Sequence, residues 1–240
     1  MKLRAFVNLL QKPLLLGFLL TISIASILLF SNFSTQPIPV AKEKTNAMDT
    51  SALETATAIL SSDTFSLPDS LSKIDTLLVA HKSAYRMNLY AKGKLLKTYT
   101  IALGQNPIGP KQQQGDNKTP EGNYRIIQKS RGPFEGDYSQ YLGVAWMRIN
   151  YPNDADAIAG LKKGWLTKAQ EQSIFDANEK GIAPPKSTKL GGGIGIHGWW
   201  GDWPGNDRQN LTWGCISVQN KDLDDLYNKI PLGTTIVILE

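Results

Sequence analysis

Cysteine is almost missing from this chain. There is one, Cys215, in 240 residues, with two histidines, His81 and His197. A single thiol excludes an intrachain disulfide and any cysteine-based metal cluster. With only two imidazoles beside it, a structural zinc site is short of ligands, so no metal or other cofactor is expected. Lys/Arg runs and aromatic–basic alternation are also lacking, which argues against nucleic acid as a partner. No internal repeat is present. The net charge is +5, and five cations before Lys73 (Lys2, Arg4, Lys12, Lys42, Lys44) balance five anions (Glu43, Asp49, Glu54, Asp63, Asp69). The excess therefore sits on the C-terminal part, as a solvated surface or as an attraction for an anionic polymer. A hydrophobic fraction of 41% and a charged fraction of 20% are those of a globular protein, long enough for one domain and an appendage.

Residues 13–30 (PLLLGFLLTISIASILLF) form an 18-residue run without a charge. As a helix the run spans roughly 27 Å, close to the hydrocarbon thickness of a bilayer. Lys2, Arg4 and Lys12 precede it, so the positive-inside rule keeps residues 1–12 in the cytoplasm and exports the rest. The expected arrangement is a single-pass anchor in the cytoplasmic (inner) membrane with an extracytoplasmic, periplasmic body. A cleaved signal peptide is the rival, but its apolar region is normally shorter, and the Ala-x-Ala at Ala56 to Ala58 lies too far downstream. Residues 31–72, rich in Ser, Thr, Ala, Asp and Pro, read as a flexible linker, with a short helix near 48–60 as an option.

From residue 73 to 240 short strands dominate. Apolar or alternating runs predict strands at 74–80, 85–90, 95–103, 123–129, 142–150, 193–197, 213–218 and 234–239. Ala91-Lys92-Gly93-Lys94 reads as a hairpin turn. Thr167 and Gln170 form a capping box for a helix that Gly181 ends. Leu223, Leu226, Tyr227 and Ile230 share one face of a last helix, stopped by Pro231. The body is thus mainly β with two or three peripheral helices.

The chemistry rests on Cys215 and His197. A thiol becomes a useful nucleophile when a base takes its proton and donors stabilise the oxyanion. His197 ends the strand Gly193-Ile194-Gly195-Ile196 and is followed by Gly198, while Cys215 follows Gly214 after a turn-rich stretch, 202–210. Adjacent strands joined by that loop bring both side chains to one rim. Gly214 allows close backbone approach, and the Cys215 N–H is a natural oxyanion donor. Spacing alone leaves core packing open as the other reading, since a lone thiol is usually structural. Export favours a use for an unpaired thiol.

His197-Gly198, a Gly- and Pro-bearing loop, then Thr212-Trp213-Gly214-Cys215 resembles the His…Ser/Thr-His-Gly-Cys signature of the L,D-transpeptidase (YkuD-type) catalytic domain family. Leu103-Gly104-Gln105-Asn106-Pro107-Ile108-Gly109-Pro110-Lys111, then Gly115-Asp116-Asn117-Lys118-Thr119-Pro120-Glu121-Gly122, resembles that family's "LG…P.GPK…GD..TPEG" segment. The 151–156 stretch is similar to the loop before its helical insert. Trp213 stands where most members have His, and Ser217 where many have Arg or Asn, so the chain resembles a divergent Trp-Gly-Cys branch. The resemblance implies an L,D-transpeptidase-type β-sandwich acting on peptidoglycan stem peptides. It further implies that Cys215 attacks the carbonyl between the third-position diamino acid and the terminal D-Ala, leaving a thioester that an amine resolves. Water as acceptor makes an L,D-peptidase instead. Thr212, Trp213, Gly214 and Gly198 would border the acyl site.

Asp116, Asn117 and Glu121 lack the remaining ligands of a calcium loop and read as turn chemistry. Asp154 and Asp156 read as helix capping before an acid–base pair. Trp199, Trp200, Trp203 and Trp213 are either core or a substrate wall, and His81 is expected at the surface. A sortase-like enzyme needs a longer His-to-Cys interval and an Arg after the Cys, papain-like hydrolases reverse the order, and a non-catalytic wall-binding pseudoenzyme is the rival from another class. For the anchor, membrane-fraction protein is expected to begin at Met1. Peptide mapping that finds a new N-terminus between residues 31 and 44 would show cleavage.

Overall fold

The computed structural model describes residues 69–204 and 208–240. The apolar run 13–30, and the linker up to residue 68, lie outside them. Among the described residues no helix is long and apolar enough to cross a membrane. The strands are β1 (Thr76–His81), β2 (Arg86–Ala91), β3 (Lys94–Gly104), β4 (Gly122–Arg131), β5 (Ala145–Ile149), β6 (Gly195–His197), β7 (Asn210–Thr212), β8 (Ile216–Val218) and β9 (Thr235–Leu239). The helices are α1 (Asp69–Ser72), α2 (Asp154–Lys162), α3 (Lys168–Glu179) and α4 (Asn220–Lys229).

The sheet order is β2-β1-β9-β4-β5-β6-β8-β3-β7, and β2 also pairs with β3. That extra pairing closes the sheet into a barrel-like sandwich, which leaves few open strand edges. Its interior holds Leu78, Met87, Ile101, Ile126, Met147, Ile196 and Ile236, all fully buried. Strands β1 and β9 run parallel and are apolar on both faces, as parallel strands covered on both sides generally are. Their second face (Leu77, Val79, Val237, Leu239) packs with Tyr90 and with Leu71 of α1. The folded body therefore reaches back to Asp69, inside the stretch read as linker, because Leu71 covers that outer face.

Local signals match the elements they predict. Lys92 and Gly93 both have positive φ, 48° and 75°, the conformation of a tight β-hairpin turn. Thr167 and Gln170 make a reciprocal capping box on α3, and Gly181 follows its end at φ 64°. Asn153 and Asp156 make a second box on α2, so the acid pair is capping chemistry. Leu223 and Leu226 bury one face of α4. Two strand starts move by three residues, and one further strand forms. The strand expected from residue 142 starts at Ala145, because Ser139–Tyr141 is a 3₁₀ turn and Gly143 has φ 62°. The strand expected from 213 starts at Ile216. β7 occupies residues read partly as loop, bridging to the end of β3.

His81 is half-buried at the end of β1, not freely exposed as expected. Lys82, next to it, is buried: Nζ donates to the Gly109 carbonyl at 2.8 Å and to Glu121 at 2.6 Å, with Glu240 at 3.5 Å. Removing this cation leaves two carboxylates facing each other. Lys82→Ala is expected to lower the unfolding free energy by about 3 kcal/mol, and Glu240→Gln, at the exposed rim, by under about 1 kcal/mol. Urea unfolding of the full-length chain checks both, and equal small losses would count against a structural ion cluster.

Candidate active site

Strand pairing decides what Cys215 and His197 face. β6 and β8 run parallel, with Ile196 opposite Ile216 and His197 opposite Ser217. Extended by one residue, that register sets Cys215 beside Gly195. Alternate residues share a face, so Gly195, His197 and Cys215 look one way while Ile196 and Ile216 enter the core. On the far side of β6, Trp146 lies opposite His197 and Arg148 opposite Gly195. Beyond these come Ser130 and Gln128 of β4. The floor so formed lies under a cleft of about 490 Å³ that both Cys215 and His197 line.

Local backbone chemistry shapes the rim. Thr212 is buried, and its hydroxyl accepts from the Gly214 N–H at 3.1 Å and donates to the Cys215 carbonyl at 2.7 Å. The segment from Thr212 to Cys215 is thereby a tight turn. Gly214 has φ 130°, and a Cβ there would lie 2.7 Å from the Lys118 carbonyl oxygen. Gly104 faces the same loop, where a Cβ would lie 2.2 Å from the Asn117 oxygen. The two sequence motifs, far apart in the chain, are stacked backbone on backbone. Thr119 fixes the stack by accepting from the Gly104 N–H at 3.0 Å.

Asp116 is committed to that loop. It accepts from the amides of Gln112, Gln113 and Lys118 and pairs with buried Lys111 at 2.8 Å. It is turn chemistry, as expected, and among the described residues no group of His, Cys, Asp and Glu is arranged to hold a metal.

Burial sets the electrostatics of the pair. Burial pushes the His197 pKa down to about 4, although the Gly198 and Tyr141 carbonyls pull the other way. Burial also pushes the Cys215 thiol up to about 11, against the Gly195 backbone and the charges of Lys111 and Arg148. The resting pair is therefore a neutral thiol and a neutral imidazole. His197 Nδ1 lies 2.7 Å from the Gly198 oxygen. A carbonyl only accepts, so Nδ1 carries the proton and Nε2 keeps a lone pair. Cys215 Sγ points to the Gly193 oxygen at 3.8 Å, and no hydrogen bond joins it to the ring.

The tryptophans divide. Trp199 and Trp213 line the cleft. Trp203 is core, and Trp200 is 67% exposed away from the lining. Trp213 stands edge-on to Tyr138 at 5.7 Å and to Tyr141 at 5.2 Å. Gly198 is pressed against Asn220 of α4, whose Nδ2 donates to the Trp199 carbonyl at 2.8 Å and whose Oδ1 accepts from the Val144 N–H at 3.2 Å. Ser217 donates to the Gly198 carbonyl at 2.8 Å.

Sequence reasoning passed over Trp146, Arg148, Tyr141 and Asn220. Trp146 and Arg148 alternate with buried Ala145, Met147 and Ile149, and that alternation is the signal that points to them. Asn220 and Tyr141 carry none, since each acts across long separations in sequence.

The L,D-transpeptidase catalytic domain (YkuD) model matches residues 75–238. No curated protein matches the sequence. Among solved structures, the helical cell shape determining protein Pgp2 from Campylobacter jejuni is 22% identical, with a TM-score of 0.46 over 68% of this chain and 46% of that one. Bd1075 from Bdellovibrio bacteriovorus is 19% identical, with a TM-score of 0.45 over 71% and 50%. L,D-transpeptidase 3 from Mycobacterium tuberculosis, in complex with a faropenem-derived adduct, is 16% identical, with a TM-score of 0.41 over 69% and 60%. This chain spans less than two thirds of each of them. The family match takes in both stacked motifs, the cleft floor and the Thr212 turn, and the chain belongs to the YkuD family of L,D-transpeptidase catalytic domains.

Proposed function

We propose that this domain is a peptidoglycan L,D-transpeptidase with Cys215 as nucleophile and His197 as general base. The observation that carries this reading is the pairing of β6 with β8, which turns both side chains into one cleft of a domain of this family. As a stem tetrapeptide enters, the thiol swings from the Gly193 carbonyl toward the imidazole. Sγ adds to the carbonyl between the third residue and the terminal D-Ala, and the thiol proton passes to His197. The C–N bond then breaks, D-Ala leaves as an amine with that proton, and a thioester remains. An acceptor amine attacks the thioester, the C–S bond breaks, and the amine's proton returns through His197 to sulfur. Water as acceptor gives L,D-peptidase activity at the same site. The Cys215 N–H serves as oxyanion donor, because the Gly214 N–H is already bonded to Thr212. Trp213 acts as cleft wall and takes no part in proton transfer. Residues 13–30 anchor the domain on the periplasmic side of the inner membrane, where its polymer lies.

Acylation by a carbapenem, followed by intact-mass spectrometry, tests the assignment. Cys215→Ala is expected to form no adduct, and His197→Ala to slow adduct formation by roughly 10²–10⁴-fold, the usual worth of a positioned base. His81→Ala is expected to leave the rate unchanged. An adduct on Cys215→Ala would sink the nucleophile, and a non-catalytic wall binder would acylate in no variant.

The pH profile follows from burial. The imidazole stays neutral above about 4 and the thiol protonated below about 11. The productive neutral pair therefore persists across neutral pH, and the acylation rate is expected to be flat from about pH 5 to 9. It falls only as His197 takes up a proton near pH 4. In His197→Ala the thiolate fraction limits the rate, which then climbs about tenfold per pH unit. An acid limb centred on 6.5, the ordinary imidazole value, would overturn the burial argument.

A further inference from the structure

The floor of the cleft contains a cation that the reaction scheme leaves unused. Arg148, Gly195 and Cys215 form one row across β5, β6 and β8. Gly195 in the middle has no side chain, and the edge of the Trp146 ring lies over it, between the guanidinium and the thiol. A Cβ at Gly195 would lie 2.4 Å from the Met147 oxygen and 2.8 Å from the Trp146 ring, so the strand packing on either side leaves room for no larger residue in this row. Two strand spacings, about 10 Å, separate the Arg148 and Cys215 backbones. The arginine side chain plus one extended residue of about 3.5 Å bridges that span.

Arg148 is held but not neutralised. Its Nε donates to Gln128 Oε1 at 3.1 Å, and its guanidinium carbon lies 5.7 Å from the Trp146 ring centroid. The Nη groups have no carboxylate partner among the described residues, and no Asp or Glu lines the cleft. Lys186 is the second cation of the lining. Its stem runs along Gly192 and Gly193, where added Cβ atoms would lie 3.2 and 3.5 Å from its Cγ and Cδ. It forms no ion pair among the described residues. With His197 neutral, the cleft carries two positive charges and no negative one. An unpaired, half-buried guanidinium with Nε pinned presents a fork suited to a carboxylate.

We propose that Arg148, assisted by Lys186 at the cleft mouth, is the carboxylate-binding subsite of this domain and selects donors carrying a carboxylate one residue from the scissile carbonyl. The inference rests on Cys215 being the nucleophile. Two groups have this chemistry: the terminal α-carboxylate of the leaving residue, and the side-chain carboxylate of a third-position diamino acid. Binding either one lowers KM for the donor without moving a proton.

Two measurements on the full-length chain test it. The first needs no enzymatic turnover: alkylation rates of Cys215 by iodoacetate and by iodoacetamide, which share a reactive carbon and differ in charge. Arg148→Gln is expected to lower the iodoacetate-to-iodoacetamide ratio by roughly three- to tenfold, with Arg148→Lys between. The second compares tetrapeptide donors. Arg148→Gln is expected to raise KM roughly ten- to a hundredfold with kcat little changed, the worth of charge-assisted hydrogen bonds. Arg148→Lys should restore part of it. If amidation of the terminal D-Ala abolishes the difference between wild type and Arg148→Gln, the terminal carboxylate is the ligand. If replacing the diamino dicarboxylate by lysine abolishes it, the side-chain carboxylate is. A wild type that turns over no tetrapeptide refutes the proposed reaction, while the alkylation ratio still judges the subsite. An unchanged ratio in Arg148→Gln, with a thermal melt matching wild type, overturns the subsite.

Discussion

Parallel pairing of β6 with β8 is the constraint from which the rest of the site follows. Parallel neighbours need a crossover between them, and here the crossover is the tryptophan-bearing segment from Gly198 to Cys215. The register places His197 two positions along the shared face from the residue beside Cys215. A one-residue slip would turn the thiol into the core and Ile216 into the cleft. The chain resists that slip from three directions. Ile196 and Ile216 are locked in the interior, Thr212 ties the turn before Cys215, and Asn220 bonds the backbone of Val144 and Trp199, the residues that follow Gly143 and Gly198.

The same placement sets the electrostatics. A thiol and an imidazole on an open surface would titrate near ordinary values, but here packing against Trp146 and the barrel interior withdraws His197 from water and Cys215 in large part. Desolvation disfavours every charged form, so the imidazole becomes harder to protonate and the thiol harder to ionise. In the proposed reaction, charge separation is deferred until substrate arrives. Arg148 in the cleft and Lys111 in the loop beneath it act on the thiol in the opposite sense and favour the anion.

Much of the polar scaffold lies beneath the site. Lys111 and Asp116 hold the loop under Gly214, and Lys82 with Glu121 holds the far end of the same segment. On the other side, Asn150 and Asn178 bond to each other and so join β5 to α3. These groups are buried and paired, which is the condition for keeping polar atoms inside at tolerable cost. They make the loop from Gly109 to Gly122 a rigid shelf for the cysteine turn.

The sequence by itself determined whatever depends on near neighbours. The capping box at Thr167, capping by the acidic residues at the start of α2, the turn at Lys92-Gly93, the apolar face of α4 and the β period of most strands are short-range effects and were legible, although the N-cap of α2 is Asn153, one residue before the acids. The single thiol and its paired motif also singled out Cys215 and His197, since rarity needs no geometry. Tertiary structure decided the remainder. Tyr90 and Leu71 are buried because a second face of the sheet meets α1. β7 forms only because Gly104 offers it an edge. Four tryptophans of similar sequence surroundings became two cleft walls, one core residue and one exposed ring according to which strand or turn lay behind each. Arg148 faces the thiol only because β5, β6 and β8 align in that register, across a glycine that no local pattern connects to either.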